Sequence, residues 1–424
     1  MNRNELTTFF REVRKVTETI CEPLTVEDHV IQPVMDVSPP KWHMGHTSWF
    51  FEAMFLDKMI SDYQWFHPQY AYVFNSYYES FGQRIDRNTR GHMSRPTLTE
   101  TLAYRKYITD RMCELIEKVD EAQYPQFSKL IILSLNHEQQ HQELLLTDIK
   151  YILASSPLRP AYRKLKDKLS RTTAIPAMEF VEFSGGVHEI GYQGEGFYYD
   201  NERPVHKQYL QDFRLADRLV TNGDYLAFIE DGGYTDFRWW LSEGWETVKT
   251  EGWTKPLYWE NIDGEWHEFT LDGLQKLNLS APVCHVSYFE ADAFAHWSGK
   301  RLPTETEWEV AARMTHQQPG GQNFYDRQNF HPLPLSESEA MGSGLKQMLG
   351  DVWEWTRSSY LPYPGYRQEE GPLGEYNGKF MINQMVLRGG SCATSENHAR
   401  ITYRNFFQTD KRWQFKGFRL AEDV

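Results

Sequence analysis

Two histidines four positions apart, His137 and His141, stand in the stretch LNHEQQHQE, residues 135–143. Residues at this spacing share one face of an α-helix, so both imidazoles could hold the same metal ion. The letters also spell H-E-x-x-H, the pattern in which zinc proteases use two histidines as ligands and the glutamate as a general base. A pattern this short also arises by chance, and two histidines can be ordinary polar residues of a helical core. The choice between a metal site and two core histidines depends on whether a further ligand exists and on which helix carries it.

A third imidazole is available in KWHMGHTSWFFE, residues 41–52, which contains His43 and His46. Trp49 and Phe50 follow His46 at helical spacing, so this helix has an apolar face, but spacing alone does not separate His43 from His46. Three neutral imidazoles on one side of a metal leave the opposite side open for substrate and O2. Such a set suits hydrolytic zinc as well as non-haem iron. The number of ligands therefore does not decide the reaction.

The first 165 residues are predicted to form a four-helix bundle that positions these histidines. The helices are expected in ELTTFFREVRKVTETI, WHMGHTSWFFEAMFLDKMI, PTLTETLAYRKYITDRMCELIEKV and FSKLIILSLNHEQQHQELLLTDIKYIL. Each has apolar residues close to a 3.6-residue period, with Leu102 among the positions expected to face the core. Prolines 39 and 40 favour a start for the second helix, and Thr97 with Glu100 has the spacing of a capping box before the third. An irregular aromatic and basic stretch, residues 62–96, separates these two helices.

The second half of the chain follows a different pattern. Residues 155–176, SSPLRPAYRKLKDKLSRTTAIP, are polar and basic with three prolines and are interpreted as the linker. Beyond them, short strand-like runs such as MEFVEFSGGVHEIG and MVLRGGSC alternate with turn-rich segments. Only TNGDYLAFIEDGG and SYFEADAFAHWSGK are predicted to be helical. The prediction is an α+β fold with one domain over residues 1–165 and a second, irregular domain over residues 166–424.

Composition excludes several classes of partner. The net charge of −14 argues against nucleic acid, because a phosphate backbone requires a basic surface. There is no apolar run long enough to span a bilayer, and the N-terminal stretch lacks the apolar core of a signal peptide. The four cysteines are far apart and form no C-x-x-C pair. The sequence thus predicts a cytoplasmic protein without a nucleic-acid or membrane partner and gives no oligomeric state.

Taken in order, the motifs resemble a known family. PPKWHMGHTSWFFE and NHEQQHQE look like the DinB-type bundle of the sulfoxide synthases of ergothioneine biosynthesis. The later motifs resemble the formylglycine-generating-enzyme-like, C-type-lectin-related domain of the same enzymes: FSGGVHEIG, ERPVHKQYLQDFRLADRLVTNGDYLAFI, PVCHVSYFEADAFAHWSGKRLPTETEWEVAAR, GDVWEWT, VLRGGSC and GFRLAED. The resemblance covers nearly the whole chain and implies a DinB-like four-helix bundle followed by a formylglycine-generating-enzyme-like domain.

The resemblance implies iron(II) as cofactor and O2 as co-substrate. Family members bind iron through the second histidine of the W-x-x-x-H segment and both histidines of H-E-x-Q-H, which selects His46, His137 and His141 and leaves His43 structural. A third ligand on a separate upstream helix disfavours the zinc protease. The copper site of formylglycine-generating enzymes is not expected either, because Cys392 stands alone in RGGSCATSENHARITYRNFFQTD.

Substrate contacts follow from the same resemblance. Gln140 and Asn405 match family positions whose amides suit hercynine, the trimethylbetaine of histidine, and Phe406 could face its trimethylammonium group. Arg87 and Arg90, in RIDRNTRGHMSRP, match an R-x-x-R pair that grips the carboxylate of the thiol substrate. Nonfunctional roles stay open for each: a turn for the asparagine, core packing for the phenylalanine and a solvated basic loop for the arginines.

Two departures from the best-known branch concern the thiol and the proton donor. Phe407 replaces an acidic residue that meets the amino group of a γ-glutamyl substrate, which favours a shorter thiol. LPYPGYRQEEGPLGEY lacks a tyrosine at the position of that branch's catalytic one, whereas FNSYYESFG places Tyr77 and Tyr78 in the bundle, as in another branch. One of them is expected to donate a proton, although ordinary aromatic packing is the alternative.

The sequence therefore predicts an oxygen-dependent oxidoreductase, an iron(II) sulfoxide synthase that joins cysteine to C2 of hercynine and gives hercynylcysteine sulfoxide. The same chemistry with γ-glutamylcysteine, histidine or a selenium-bearing partner stays open. From other classes, a zinc hydrolase and a noncatalytic binding module remain as alternatives.

Overall fold

The computed structural model describes residues 1–163, 175–336, 339, 344–368 and 377–424. These residues form two compact units, Met1–Arg163 and the described part of residues 175–424. The first unit is helical and the second combines helices with small sheets, so the predicted α+β class is confirmed. Half of the predicted linker at 155–176, residues 164–174, lies outside the described residues, and the domain boundary stays a prediction.

The first unit contains the four long helices that the sequence predicts. Its helices are α1 (Arg3–Cys21), α2 (Pro40–Phe51), α3 (Asp57–Met59), α4 (Tyr70–Phe74), α5 (Leu98–Lys118) and α6 (Tyr124–Ser155). The expected starts are present, since Pro40 is the first residue of α2 and Thr97 forms a capping box with Glu100 at α5. The expected burial of Leu102 is wrong: it is 41 % exposed, and Tyr104 and Arg105 point inward instead.

Glu52 anchors the aromatic insertion between α2 and α5. Helix α2 continues through a π-helical turn, Glu52–Leu56, and the buried Glu52 carboxylate accepts hydrogen bonds from the Tyr63 hydroxyl and the Phe66 amide, each at 2.8 Å. The Tyr104 hydroxyl of α5 donates to the same carboxylate. One buried carboxylate therefore fixes both the start of the insertion and its position against α5.

The second unit contains four helices among its described residues. They are α7 (Asn222–Glu230), α8 (Ser242–Glu251), α9 (Tyr288–Trp297) and α10 (Glu305–Met314). The prediction of only two helices here is wrong, because α8 and α10 were not expected. Helix α10 carries a recognisable start, a capping box between Thr304 and Glu307.

The strands of the second unit form four small sheets. They are β1 (Phe180–Phe183), β2 (Gly186–Ile190), β3 (His206–Leu210), β4 (Phe213–Ala216), β5 (Trp259–Ile262), β6 (Glu265–Thr270), β7 (Gly273–Lys276), β8 (Trp353–Ser359), β9 (Met385–Arg388), β10 (Asn405–Phe407), β11 (Lys416–Gly417) and β12 (Ala421–Asp423). The sheet orders are β1-β4-β12, β10-β9-β8-β11, β2-β3 and β5-β6-β7. All pairings are antiparallel except that of β11 with β8. Among the described residues, no helix combines the length and the apolar character that crossing a membrane requires.

Candidate metal centre and substrate-binding residues

Three histidines from two helices converge inside the first unit. His46 lies on α2, and His137 and His141 lie one turn apart on α6. One ring nitrogen from each lies within 4.8 Å of the other two. Ring centroids are separated by 4.5 Å for His46 and His141, 4.7 Å for His137 and His141, and 5.3 Å for His46 and His137. The structure therefore brings together the three residues that the sequence selected as ligands.

The orientation of His46 leaves one nitrogen available for a metal. Its Nδ1 lies 2.7 Å from the Phe74 carbonyl oxygen, which can only accept, so Nδ1 carries the proton. Its Nε2 is buried without a hydrogen-bond partner in the described part of the chain. A Cβ at Gly45 would lie 2.1 Å from the Phe74 ring, so glycine at this position permits the close approach. A buried ring nitrogen that carries a lone pair and lacks a donor fits a metal ligand.

Burial also keeps these imidazoles in the form that binds metals. It lowers the pKa of His137 to about 3, and the nearby Glu138 carboxylate offsets this only in part. Burial lowers the pKa values of His46 and His141 well below the ordinary value, and the neighbouring histidines lower them further. The rings are therefore neutral at pH 7, and neutral imidazole is the ligand form.

Glu138, the glutamate of the H-E-x-x-H pattern, is held by hydrogen bonds that do not suit a general base. Its Oε2 accepts from Arg14 at 3.0 Å, and its Oε1 accepts from Arg105 at 2.5 Å and from the Thr17 hydroxyl at 2.7 Å. Burial alone would raise the pKa of Glu138, but the two guanidinium groups outweigh it and lower the pKa to about 2. Both oxygens are thus engaged with α1 and α5, and the arrangement disfavours a general base beside a metal.

Trp42 connects the histidine cluster to a buried arginine. Its ring stacks on that of His46 at 4.7 Å, and the guanidinium carbon of Arg90 lies 3.4 Å from the Trp42 ring centroid. Arg90 is 6 % exposed, donates from Nη1 to the Ser38 hydroxyl at 2.9 Å, and has an Nε without a partner among the described residues. Burial lowers the pKa of Arg90 well below the ordinary value, and Arg87 lowers it further. Arg90 therefore carries under-compensated positive charge, which suits an anionic ligand.

Arg87 differs from Arg90 although both belong to the same predicted pair. Arg87 is exposed and donates from Nη2 to the Asp36 carbonyl oxygen at 2.6 Å. The short helix Arg87–His92 turns the two side chains into different environments. The structure thus supplies one buried candidate for carboxylate binding and one at the surface.

The two predicted tyrosines pack as a pair in the loop after α4. Their rings stack at 4.6 Å, and the Tyr77 hydroxyl donates to the Tyr78 hydroxyl at 3.4 Å. Tyr78 is the inner member, 1 % exposed, and its ring lies 5.6 Å from that of Phe50. Phe50 in turn lies 4.5 Å from the ring of His137. The pair is therefore joined to the histidine cluster through Phe50, and also through Trp49, whose ring lies 6.0 Å from that of Tyr78 and 5.6 Å from that of His46.

Comparison with known proteins decides the family. A model of the sulfatase-modifying factor enzyme 1-like domain matches residues 166–424, and a model of the DinB superfamily matches residues 10–145. The hercynine oxygenase of Mycobacterium tuberculosis is 34 % identical over 333 residues, which cover 70 % of this chain and 72 % of that protein. The hercynine oxygenase of Mycolicibacterium smegmatis is 34 % identical over 69 % of this chain and 71 % of its own. The chain belongs to the hercynine oxygenase family. It is an oxygen-dependent oxidoreductase.

The second domain also has relatives outside the hercynine oxygenases. The formylglycine-generating enzyme of Streptomyces coelicolor is 31 % identical over 58 % of this chain and 89 % of its own. Cys392, which stands alone in its segment of the sequence, and Cys284 are both buried.

The second-unit candidates occupy β10. The side-chain oxygen of Asn405 accepts from the Phe406 amide at 2.9 Å, and the Phe406 ring stacks on Tyr360 at 4.0 Å. Phe407 packs on Trp413, and the Lys416 ammonium lies 3.9 Å from the Phe407 ring centroid. Both phenylalanine rings are packed against neighbouring side chains, and their contact with substrate stays a proposal. Residues 369–376, at the end of the LPYPGYRQEEGPLGEY segment, lie outside the described residues.

Gln140, predicted as a substrate contact, is partly exposed on α6.

Sequence reasoning missed one residue beside the candidate ligands, Asp148. His43, predicted only to be structural, lies 3.0 Å from the ring of His141 and 3.0 Å from Asp148. Asp148 follows His141 by seven residues, which is two helical turns, and that spacing was the available signal.

Proposed function

We propose that this chain is an iron(II)- and O2-dependent sulfoxide synthase of ergothioneine biosynthesis. It would join the sulfur of cysteine to C2 of the hercynine imidazole and give hercynylcysteine sulfoxide. One thiol, one imidazole C2–H and one O2 yield one sulfoxide and one water, so each turnover removes four electrons from the two organic substrates. The names of the relatives support hercynine as the substrate.

The observation that carries the proposal is the cluster of His46, His137 and His141, whose ligand atoms lie within 4.8 Å of one another. Three neutral imidazoles fit ferrous iron and leave coordination positions for other ligands. Iron bound there would supply the activation of O2. The Nε2 atom of His46, which has no hydrogen-bond partner among the residues that the structure describes, fits such a group.

The other residues would bind and orient the substrates. Arg90 is buried, and its Nε has no partner within the described ranges of the chain, so it would take the carboxylate of the thiol. Arg87 would assist from the surface. Gln140, Asn405 and Phe406 are proposed as hercynine contacts on the strength of their motif matches. Holding both substrates in place lowers the entropic cost of bringing them together.

The tyrosine pair would supply the proton that the reduction of O2 to water requires. A neutral phenol is a competent proton donor at pH 7. Tyr78 is the inner hydroxyl, and Tyr77 donates to it, so a proton lost from Tyr78 could be replaced from Tyr77. This step would favour C–S coupling over oxidation of the thiol to a sulfinic acid.

Two other functions receive less support. A zinc hydrolase needs the glutamate of H-E-x-x-H as a base, and Glu138 is engaged by Arg14 and Arg105. A noncatalytic module would be expected to lose a ligand histidine, and all three are present. A cytoplasmic location is part of the proposal and is supported by the spacing of the four cysteines, which are far apart in the sequence and form no C-x-x-C pair.

Product analysis tests the proposed function. The purified chain is loaded anaerobically with Fe²⁺ or with Zn²⁺ and then given hercynine, cysteine and O2. We expect hercynylcysteine sulfoxide by mass spectrometry with iron and none with zinc. Failure of the iron-loaded protein to form any sulfur adduct of hercynine with cysteine, γ-glutamylcysteine or a selenium analogue would refute the proposal.

A further inference from the structure

A chain of buried hydrogen bonds leads from Asp148 through His43 to the candidate ligand His141. The Oδ2 atom of Asp148 lies 3.0 Å from His43 Nε2, and His43 Nδ1 lies 3.0 Å from His141 Nδ1. His43 and Asp148 are each 2 % exposed. His43 lies on α2 and the other two on α6, so the chain joins the two helices that supply all the candidate ligands.

The chemistry of these groups decides which atom donates and which accepts in each hydrogen bond. An ionised carboxylate can only accept, so the proton between Asp148 and His43 belongs to His43 Nε2. With its proton on Nε2, His43 presents a lone pair at Nδ1, and His141 donates to it from its own Nδ1. The lone pair of His141 is thereby placed on Nε2, the nitrogen that remains for a metal.

Ser38 fixes the carboxylate that begins the chain. Its backbone amide donates to the same Asp148 Oδ2 at 2.8 Å, while its hydroxyl accepts from Arg90. The two functions use different atoms of Ser38. A substitution of its side chain can therefore remove the contact with Arg90 and keep the contact with Asp148.

We propose that Asp148 and His43 are positioning residues that fix the tautomer and the ring orientation of His141 for metal binding. The proposal rests on the metal site of the proposed function and not on its substrates or products. Outer-sphere partners of this kind typically contribute about 10- to 100-fold to metal affinity. His43 is thus assigned a role beyond packing, although it is not itself a ligand.

Two pairs of variants separate positioning from packing. His43→Gln keeps one donor and one acceptor, and Asp148→Asn keeps an acceptor oxygen, so both can preserve the hydrogen bonds between residues 148, 43 and 141. His43→Phe keeps an aromatic ring, and Asp148→Leu keeps similar volume, but both remove those hydrogen bonds. We expect the Zn²⁺ dissociation constant of the full-length protein to rise about 10- to 100-fold for the Phe and Leu variants, and far less for the Gln and Asn variants. A packing role would instead make His43→Phe milder than His43→Gln, and that order would overturn the proposal.

Two controls test whether the effect is specific. His29 is another buried histidine of the first unit, and its Nδ1 lies 2.7 Å from the Thr25 carbonyl oxygen. His29→Phe should lower stability without changing the Zn²⁺ dissociation constant. Ser38→Ala keeps the backbone amide and should also leave that constant unchanged. A rise as large as that of His43→Phe in either control would contradict the assignment.

Nuclear magnetic resonance detects these hydrogen bonds directly. In Zn²⁺-loaded full-length protein labelled with ¹⁵N at histidine, we expect the proton on His141 Nδ1 and a ¹⁵N–¹⁵N coupling across the hydrogen bond to His43 Nδ1. The coupling should vanish in His43→Phe. A proton on His43 Nδ1 instead, or no coupling in the native protein, would overturn the proposal. Neither readout requires turnover, so failure of the sulfoxide synthase assay would leave the result interpretable.

Discussion

The ring of Trp42 lies nearly parallel to that of His46, with 4.7 Å between centroids and 8° between planes. Arg90 contacts the same Trp42 ring at 3.4 Å. One indole therefore packs against both a candidate metal ligand and the buried guanidinium proposed to bind the thiol carboxylate. The candidate metal ligand and the candidate carboxylate-binding residue therefore belong to a single packed group of side chains in the first unit.

The first prediction separates the two arginines of the R-x-x-R pair. Arg90→Leu should raise the KM for the thiol roughly tenfold to more than a hundredfold, because it removes a charge-assisted contact of ~1.5–3 kcal/mol. Arg87→Leu should have a smaller effect, since Arg87 is exposed and already bonded to the Asp36 carbonyl. Steady-state kinetics for each substrate provide the measurement. Equal losses for thiol and hercynine would point to a structural role for the segment.

The second prediction concerns Glu138. Arg14→Met should lower the free energy of unfolding by ~3–5 kcal/mol, because it leaves a buried carboxylate short of one partner. Glu18→Gln is the matched control: Glu18 lies 3.4 Å from Arg105 but is 37 % exposed, so its loss should cost about 0–1 kcal/mol. Urea unfolding measures both. Abolished turnover in Glu138→Gln at unchanged stability would instead indicate a general base.

Glu138 also gives stability a defined pH dependence. Its pKa of about 2 in the folded state lies below the usual value of about 4.3, so the unfolded chain takes up the proton first as the pH falls. The stabilisation is therefore complete above about pH 4.3 and is lost as the pH falls towards 2. Glu138→Gln should flatten the pH dependence of unfolding in this window relative to the native protein.

The third prediction concerns the tyrosine pair. Tyr78→Phe removes only a hydroxyl, so packing should survive while the product shifts from sulfoxide towards cysteine sulfinate. Tyr77→Phe should give the same shift if Tyr77 is the donor, or a weaker one if it only resupplies Tyr78. Tyr124→Phe is a suitable control, because its hydroxyl donates to the Met1 carbonyl at the end of the bundle. An unchanged product ratio in both single variants and in the double variant would exclude the role.

The fourth prediction concerns the thiol. We expect cysteine to be preferred over γ-glutamylcysteine, because Phe407 provides no carboxylate for a distant ammonium group. Competition between the two thiols, with products quantified by mass spectrometry, measures the preference. Phe407→Asp should reduce the preference for cysteine over γ-glutamylcysteine, whereas Phe407→Asn should leave it unchanged, because only the aspartate adds a negative charge. A clear preference of the native protein for γ-glutamylcysteine would contradict this assignment.

The helices of the bundle were predictable because their signals are local. Apolar residues at helical spacing, Pro40 at the first position of α2 and the capping box at Thr97 before α5 indicate these helices before any packing is known. Helices α8 and α10 were missed although each is ten residues long, the same length as the predicted α9. Helix α8 begins after Leu241, which makes no side-chain cap hydrogen bond. The capping box at Thr304 was a usable signal that periodicity alone did not supply.

The candidate site was predictable where spacing along one helix sufficed. His137 and His141 meet because they are one turn apart, whereas Asp148 acquires its role only when α2 brings His43 between it and His141. The difference between Arg87 and Arg90 likewise depends on a short helix whose orientation is set by the fold. Tertiary packing decides such features. The seven-residue spacing of His141 and Asp148 places both on one helix face, but it does not show that His43 lies between them.

The fifth prediction tests the central claim most directly, by measuring bound iron together with O2 consumption. The native chain should bind one Fe²⁺ per chain and consume one O2 per sulfoxide formed. His46→Ala should lose both properties, because it removes one of three ligands. His43→Ala should still bind one iron at saturation, although more weakly. Loss of iron from the His43 variant alone, with full iron and turnover retained in the His46 variant, would contradict the account.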